Sequence, residues 1–240
     1  MLKHQEFILT IQASALMSSV LKMTPGLEFT DTIITGIDFP EFCKVVTPHL
    51  FIAQRLGLET DPYFRQILPY TIFRKPGNKF ITYRRAKGLG ESRLLGNYSV
   101  GFGGHIEIDD VVPLSNNSED LSKLKQIGGS IDLETTIRQS RTREIREEVS
   151  SKHPELTDEM LSHIVFDENN QFILIDNDVK VGIFHFALIT IIDVSEDFEL
   201  SSNEEDSGVE MIGTMSLEDI LETGEAENWT KLFLEYLNKA

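Results

Sequence analysis

The chain has 240 residues, 40% of them hydrophobic and 25% charged, with a formal net charge of −17. That suits one globular domain with additions and a substantial core. It excludes non-specific coating of duplex DNA or RNA, which requires the opposite sign. Small phosphorylated metabolites stay admissible, because a local basic patch and a cation suffice to hold them. Cys43 is the only cysteine, so an intrachain disulfide is excluded and a reducing cytoplasm fits.

In chain order, residues 6–11 read as a strand and 13–22 as a helix, with a turn at Thr24-Pro-Gly26. Residues 7–21 come nearest to a targeting segment. Thr10, Gln12, Ser14, Ser18 and Ser19 dilute them, and they are too short and too polar to span a bilayer. A cytoplasmic protein without membrane association is therefore expected. Residues 39–56 read as one helix running through Pro48. Residues 70–74 and 79–84 alternate around Pro76-Gly77-Asn78, a hairpin signal. Residues 97–102 form a strand that runs into Gly103-Gly104, where paired glycines allow close backbone approach.

Residues 109–131 look like an insertion. Asn116-Asn117-Ser118 opens it, a short helix occupies 118–126, and Gly128-Gly129 ends it. A long helix follows over 132–150, with Asp132 as its cap. Residues 164–166 and 171–175 flank a second hairpin signal at Asn169-Asn170. Residues 179–194 are a long β-rich run, 195–207 an acidic loop and 209–215 a strand. Ser216 caps a short helix, and 227–238 closes as an amphipathic helix around Trp229, Phe233 and Leu237. Strands wrapped by a few helices make the class α+β.

The chemistry concentrates in Arg143-Glu144-Ile145-Arg146-Glu147-Glu148. At the helical pitch, Glu144, Glu147 and Glu148 fall within an arc of about 100°. Like charges that close repel, and a divalent cation of the Mg²⁺ or Mn²⁺ type reverses that cost. A charge run is more often a solvated helix face. Here the acids continue the stripe of Leu133 and Ile137, which packs inward, and a carboxylate there needs a partner or a metal.

This stretch resembles the second half of the Nudix hydrolase signature, Arg-Glu-aliphatic-x-Glu-Glu, at every defined position. The first half departs from the signature. With Gly104 as its glycine, Asp110 stands where Glu is expected, and about 25 extra residues precede Glu144. Gly129 has the standard spacing but puts Thr135 at the Glu position, with Glu134 one short. Gly103-Gly104 is the preferred alignment because a strand-like segment feeds it. Ser150 replaces the closing glycine. Residues 59–70, Tyr83-Arg-Arg, 90–99, Gly103-Gly-His-Ile106 and 175–185 resemble a Nudix branch described only as predicted phosphoesterases. The likeness spans roughly residues 55–235.

The resemblance implies a Nudix fold, a mixed β-sheet sandwiched between helices. Residues 59–240 would be the hydrolase domain and 1–58 an N-terminal extension packed on it. It implies a metal-dependent pyrophosphohydrolase acting on a small diphosphate-containing metabolite, such as a nucleoside-diphosphate derivative, and a homodimer is compatible with it. Glu144, Glu147, Glu148 and the Gly104 carbonyl would hold Mg²⁺ or Mn²⁺, with Arg143 organising the carboxylates. The general base would be Glu148, Glu204, Glu205 or Glu210. Arg84, Arg85, Lys87 and Arg93 form a basic cluster suited to phosphate. Strand alternation lets at most one of Arg84 and Arg85 face a common site. His105 would touch the leaving phosphate, and His185 would be a packed strand residue. The alternatives are a Nudix-fold module that senses such a ligand without cleaving it, and an interaction protein whose acidic helix is plain surface.

Overall fold

The chain folds as α+β, with a mixed β-sheet flanked by helices. The computed structural model describes residues 6–26, 32–86, 95–114, 130–151, 171–177, 182–202 and 209–239. Its elements in chain order are β1 (Phe7–Gln12), α1 (Ala13–Met23), β2 (Thr32–Ile34), α2 (Phe39–Val46), β3 (Leu50–Gln54), α3 (Arg55–Leu58), β4 (Phe64–Lys75), β5 (Lys79–Arg85), β6 (Tyr98–Ser99) and β7 (Gly101–Phe102). There follow α4 (Leu133–Glu148), β8 (Val149–Ser151), β9 (Gln171–Ile175), β10 (His185–Asp193), β11 (Leu200–Ser202), β12 (Val209–Ser216), α5 (Leu217–Glu222) and α6 (Asn228–Lys239). Among the described residues, no helix is long and apolar enough to cross a membrane.

The described residues divide between two compact units. The first takes Met1–Pro69, Gly104–Ser140 and Phe166–Leu188; the second takes Tyr70–Gly103, Arg141–Val165 and Ile189–Ala240. The boundary expected between residues 58 and 59 falls inside the first unit, where Arg55 pairs with Glu59.

In the first unit, β1 pairs antiparallel with β3 and with the start of β4, and β2 pairs with β9. Its core gathers Leu9, Leu16, Phe39, Phe42, Leu50, Ile67, Ile106, Ile137 and Phe186. The helix expected over 39–56 is corrected here. Asp38 caps α2 through the Glu41 N–H, but the helix stops at Val46 and a 3₁₀ turn carries Pro48. Proline lacks the N–H that a continuing helix would use. Leu50–Gln54 then pairs with β1 as a strand instead.

The ends of the expected insertion meet in this unit. Leu114 N–H donates to Ser130, Asp132 N–H donates to Val112, and Pro113 bridges Ile131. Residues 115–129 lie outside the described residues, and with them the 118–126 helix and Gly128-Gly129. The same holds for the strand at 164–166 and for Asn169-Asn170. The β run expected from 179 begins as β10 only at His185, after a 3₁₀ turn at Gly182–Phe184.

In the second unit, β5 lies between β4 and β12, β6 pairs antiparallel with β5, and β7 pairs antiparallel with β4. The strand expected over 97–102 is two short pieces, β6 and β7. The acidic loop expected over 195–207 contains β11, which pairs with β8. The β4–β5 hairpin forms as expected, and Gly77 and Asn78 take positive φ of 76° and 52°. Left-handed backbone of this kind matches the twist of a hairpin and favours Gly and Asn. The core of this unit holds Phe73, Ile81, Tyr83, Phe102, Ile145, Ile192, Phe198 and Val209. Tyr70 packs edge-on to Trp229 and shares a hydrogen bond with Ser99. Gly101 lies so close to Tyr70 that a Cβ there would fall 1.8 Å from the ring.

Candidate active site

Helix α4 starts where the Asp132 side chain accepts from the Thr135 N–H, at 3.0 Å. Leu133 and Ile137 enter the first core and Ile145 the second, so the helix is anchored along its apolar stripe. Arg141 is fully buried and donates to the Thr190 hydroxyl. Glu144 lies three residues after Arg141 and Glu148 three after Ile145, so each shares a helix face with a buried anchor.

Glu144, Glu147 and Glu148 are not equivalent. The Glu144 and Glu148 side chains are 13% and 16% exposed, whereas Glu147 is 58% exposed. Arg143 joins two of them, its Nη1 lying 2.9 Å from Glu144 Oε1 and 3.1 Å from Glu147 Oε2. Glu148 has a different neighbour, Arg85, at 4.0 Å. Arg85 in turn donates to Glu227 at 2.8 Å and lies over the Tyr83 ring. The Gly103 backbone N–H also donates to Glu148. The other oxygen, Glu148 Oε2, is buried and has no hydrogen-bond partner among the described residues.

Burial pushes the Glu144 carboxyl up to about 8, opposed by Arg143 and reinforced by Glu148 and Glu147. Burial likewise raises Glu148 to about 7, opposed by Arg85 and reinforced by Glu227. Buried, proton-hungry carboxylates with an unsatisfied oxygen suit a hard divalent cation, which takes oxygen ligands and would satisfy what the protein leaves open. The donor set therefore fits Mg²⁺ or Mn²⁺.

Of the basic cluster, Arg85 reaches the acidic helix. Arg84, its neighbour on β5, turns the other way: it donates to the Gly96 carbonyl and pairs with Glu225. Lys87 and Arg93 lie outside the described residues, as do Glu204 and Glu205. Glu210 is exposed on β12, across the ladder from Arg84. Ser150 sits within β8, so the helix passes straight into a strand where the signature has glycine. Gly104 is half-buried. The Cys43 thiol is buried in the first core, and burial raises its pKa, so it is no nucleophile.

His105 belongs to the first unit, where its Nε2 lies 3.4 Å from that of His185. Glu59 joins them: one ligand atom from each of the three residues falls within 4.8 Å of the others. Arg65 organises the same region. It donates to the carbonyls of Asp176, Gly182 and His185 and to the Asn177 side chain. Gly182 is required there, since a Cβ would fall 2.2 Å from the Asp176 carboxyl carbon. Glu227 had no motif to mark it, and Glu59 and Arg65 lay in the 59–70 segment with no role assigned, whereas Arg85 stood in the basic cluster.

No family model matches the chain. Protein YmaB of Bacillus subtilis (strain 168) is 23% identical over 187 residues, covering 77% of this chain and 76% of that protein. The crystal structure of "Tm1382, a putative Nudix hydrolase" aligns with a TM-score of 0.61 at 19% identity, over 97% of this chain and 98% of that one. The MutT protein from Methanosarcina mazei Go1 covers 73% of this chain and 94% of its own, at 18% identity and a TM-score of 0.35, too low to add weight. The similarity to Tm1382 establishes a Nudix fold.

Proposed function

We propose that the protein is a Nudix-type pyrophosphohydrolase that uses Mg²⁺ or Mn²⁺ to cleave a diphosphate linkage in a small nucleoside-diphosphate derivative or related phosphorylated metabolite. The observation that carries this reading is the buried Glu148 Oε2, without a hydrogen-bond partner among the described residues, on the helix turn that also holds the raised Glu144. Fold alone does not specify an activity; the carboxylate geometry supplies the chemistry.

Glu144, Glu147 and Glu148 would hold the cation. A bound cation would neutralise charge on the diphosphate and make the attacking water more acidic. Water oxygen attacks phosphorus, the bridging P–O bond breaks, and the bridging oxygen departs with the second phosphate. Glu148, buried on the same helix turn, is the candidate to accept the proton that the water loses. Arg143 restrains Glu144 and Glu147 through charge-assisted hydrogen bonds. Arg85 limits the charge that Glu148 and Glu227 build up together.

The test is a screen of diphosphate-containing metabolites with Mg²⁺ or Mn²⁺, reading phosphate after phosphatase coupling. Turnover that EDTA abolishes supports the reading. Binding of a metabolite without turnover, in the presence of either cation, replaces it with that of a ligand sensor.

A further inference from the structure

We propose that Glu59, His105 and His185 form a second metal site, specific for a transition-metal dication of the Zn²⁺ type. The inference does not rest on the hydrolase reading, and none of its three ligands lies on the acidic helix.

Four observations support it. The first is spacing. Two Zn–N bonds of about 2.0–2.1 Å at a tetrahedral angle put the nitrogens about 3.3–3.4 Å apart. The two Nε2 atoms are 3.4 Å apart, and a Glu59 carboxylate oxygen falls within 4.8 Å of one ring nitrogen of each histidine. The second is donor type. Imidazole nitrogens favour Zn²⁺, Fe²⁺ and their neighbours over Mg²⁺ or Ca²⁺, which prefer all-oxygen shells.

The third is orientation. Arg55 donates to Glu59 Oε1 at 3.1 Å, which aims the carboxylate while its second oxygen keeps ligand capacity. The Ser140 hydroxyl donates to the His105 carbonyl, and Arg65 donates to the His185 carbonyl. Such supports fix the direction of a ligand. The fourth is placement. His185 is buried while Glu59 and His105 are half-buried, so an ion can enter and is then shielded. The ligands come from segments 46 and 80 residues apart in the chain, so a bound ion would tie three distant segments of the first unit together. Three protein ligands leave one position open for water or another ligand.

The competing arrangement is a plain N–H···N hydrogen bond between the two imidazoles. The full-length protein, stripped with EDTA and dialysed, is titrated with zinc sulfate by calorimetry, and retained metal is measured by mass spectrometry. We expect one equivalent of Zn²⁺ that survives in a Glu144→Gln/Glu147→Gln/Glu148→Gln variant. Affinity should fall at least about 100-fold in His105→Ala and in Glu59→Gln. Zn²⁺ should raise Tm in the wild type and not in His105→Ala. Co²⁺ in its place should give the visible absorption of a four- or five-coordinate ion. Circular dichroism checks that each variant is folded, and the half-buried His105 and Glu59 carry the test if a His185 variant is not. No retained Zn²⁺ in the wild type would overturn the proposal and leave the hydrogen bond. So would Zn²⁺ binding that is unchanged in both His105→Ala and Glu59→Gln, or that disappears with the acidic triple variant.

Discussion

At the scale of single residues, Glu148 combines burial, a raised carboxyl and an oxygen without a hydrogen-bond partner among the described residues. Glu148→Gln should lower kcat at least about 100-fold, since charge neutralisation dominates phosphoryl chemistry. The metal-free variant should melt no lower than the wild type, because a neutral amide is less costly to bury than a carboxylate. Near-wild-type turnover would remove Glu148 from the mechanism. The pH dependence follows from the direction of the shifts. Glu144 and Glu148 bind protons more tightly folded than unfolded, so their contribution to stability is present at low pH and is lost as pH rises toward about 8. In EDTA, the wild-type Tm should therefore fall between about pH 5 and pH 8 relative to a Glu144→Gln/Glu148→Gln variant. Mn²⁺ must displace those protons, so its affinity should rise over the same window. A difference in Tm that is flat with pH would contradict both raised carboxyls. Helical spacing places the glutamates on one face, while their reading as a metal site came from the resemblance of the stretch to the Nudix signature. Arg85 was not legible: alternation says that Arg84 and Arg85 diverge, but not which one meets the helix. The Glu59–His105–His185 convergence was illegible for another reason, since no local pattern reports on segments so far apart.

At the scale of elements, β5 and α4 are linked by Arg85, which sits between Glu148 and Glu227. Arg85→Met would leave Glu227 buried without its cation and should cost about 3–5 kcal/mol. Adding Glu227→Leu should recover most of that loss, because a buried pair exchanged for apolar groups is often neutral. Urea denaturation of the four proteins in the cycle measures the coupling, and strictly additive effects would show that the pair does not act as a unit. Elements with strong local punctuation were read correctly: the β4–β5 hairpin from Gly77-Asn78, the start of α4 from Asp132, and the start of α5 from Ser216. The 39–56 helix was misread because Leu50–Gln54 is apolar enough to suit either period. Pairing with β1, a contact invisible in the local sequence, decided for a strand.

At the scale of the whole molecule, the α+β class followed from the order of elements, while the division into two units around two cores did not. Hydrophobic periodicity says which face is buried but not into which core. The expected insertion over 109–131 has ends that meet in the first unit. Its ends, 111–114 and 130–132, are joined by backbone hydrogen bonds, and Val111 and Ile131 both enter the first core. Replacing residues 115–129 with a short Gly/Ser linker should leave a folded protein with Mn²⁺ binding intact, because closure entropy depends only weakly on loop length. Loss of cooperative melting would show that the excised segment belongs to the core. Altered KM or substrate ranking would give it a part in specificity.

The contact between Gly101 and Tyr70 makes those two positions epistatic. In a saturation library selected for folded protein, position 101 should accept nothing but glycine as long as Tyr70 is present, since even one added methyl overlaps a ring held between Trp229 and Ser99. Gly101→Ala should therefore drop out of the selected pool, and Gly101→Ala with Tyr70→Leu should return to it in part. Recovery of Gly101→Ala at wild-type frequency on its own would show that the ring yields. A lineage of this protein would otherwise have to shrink residue 70 before residue 101 could grow, which gives the two changes a fixed historical order.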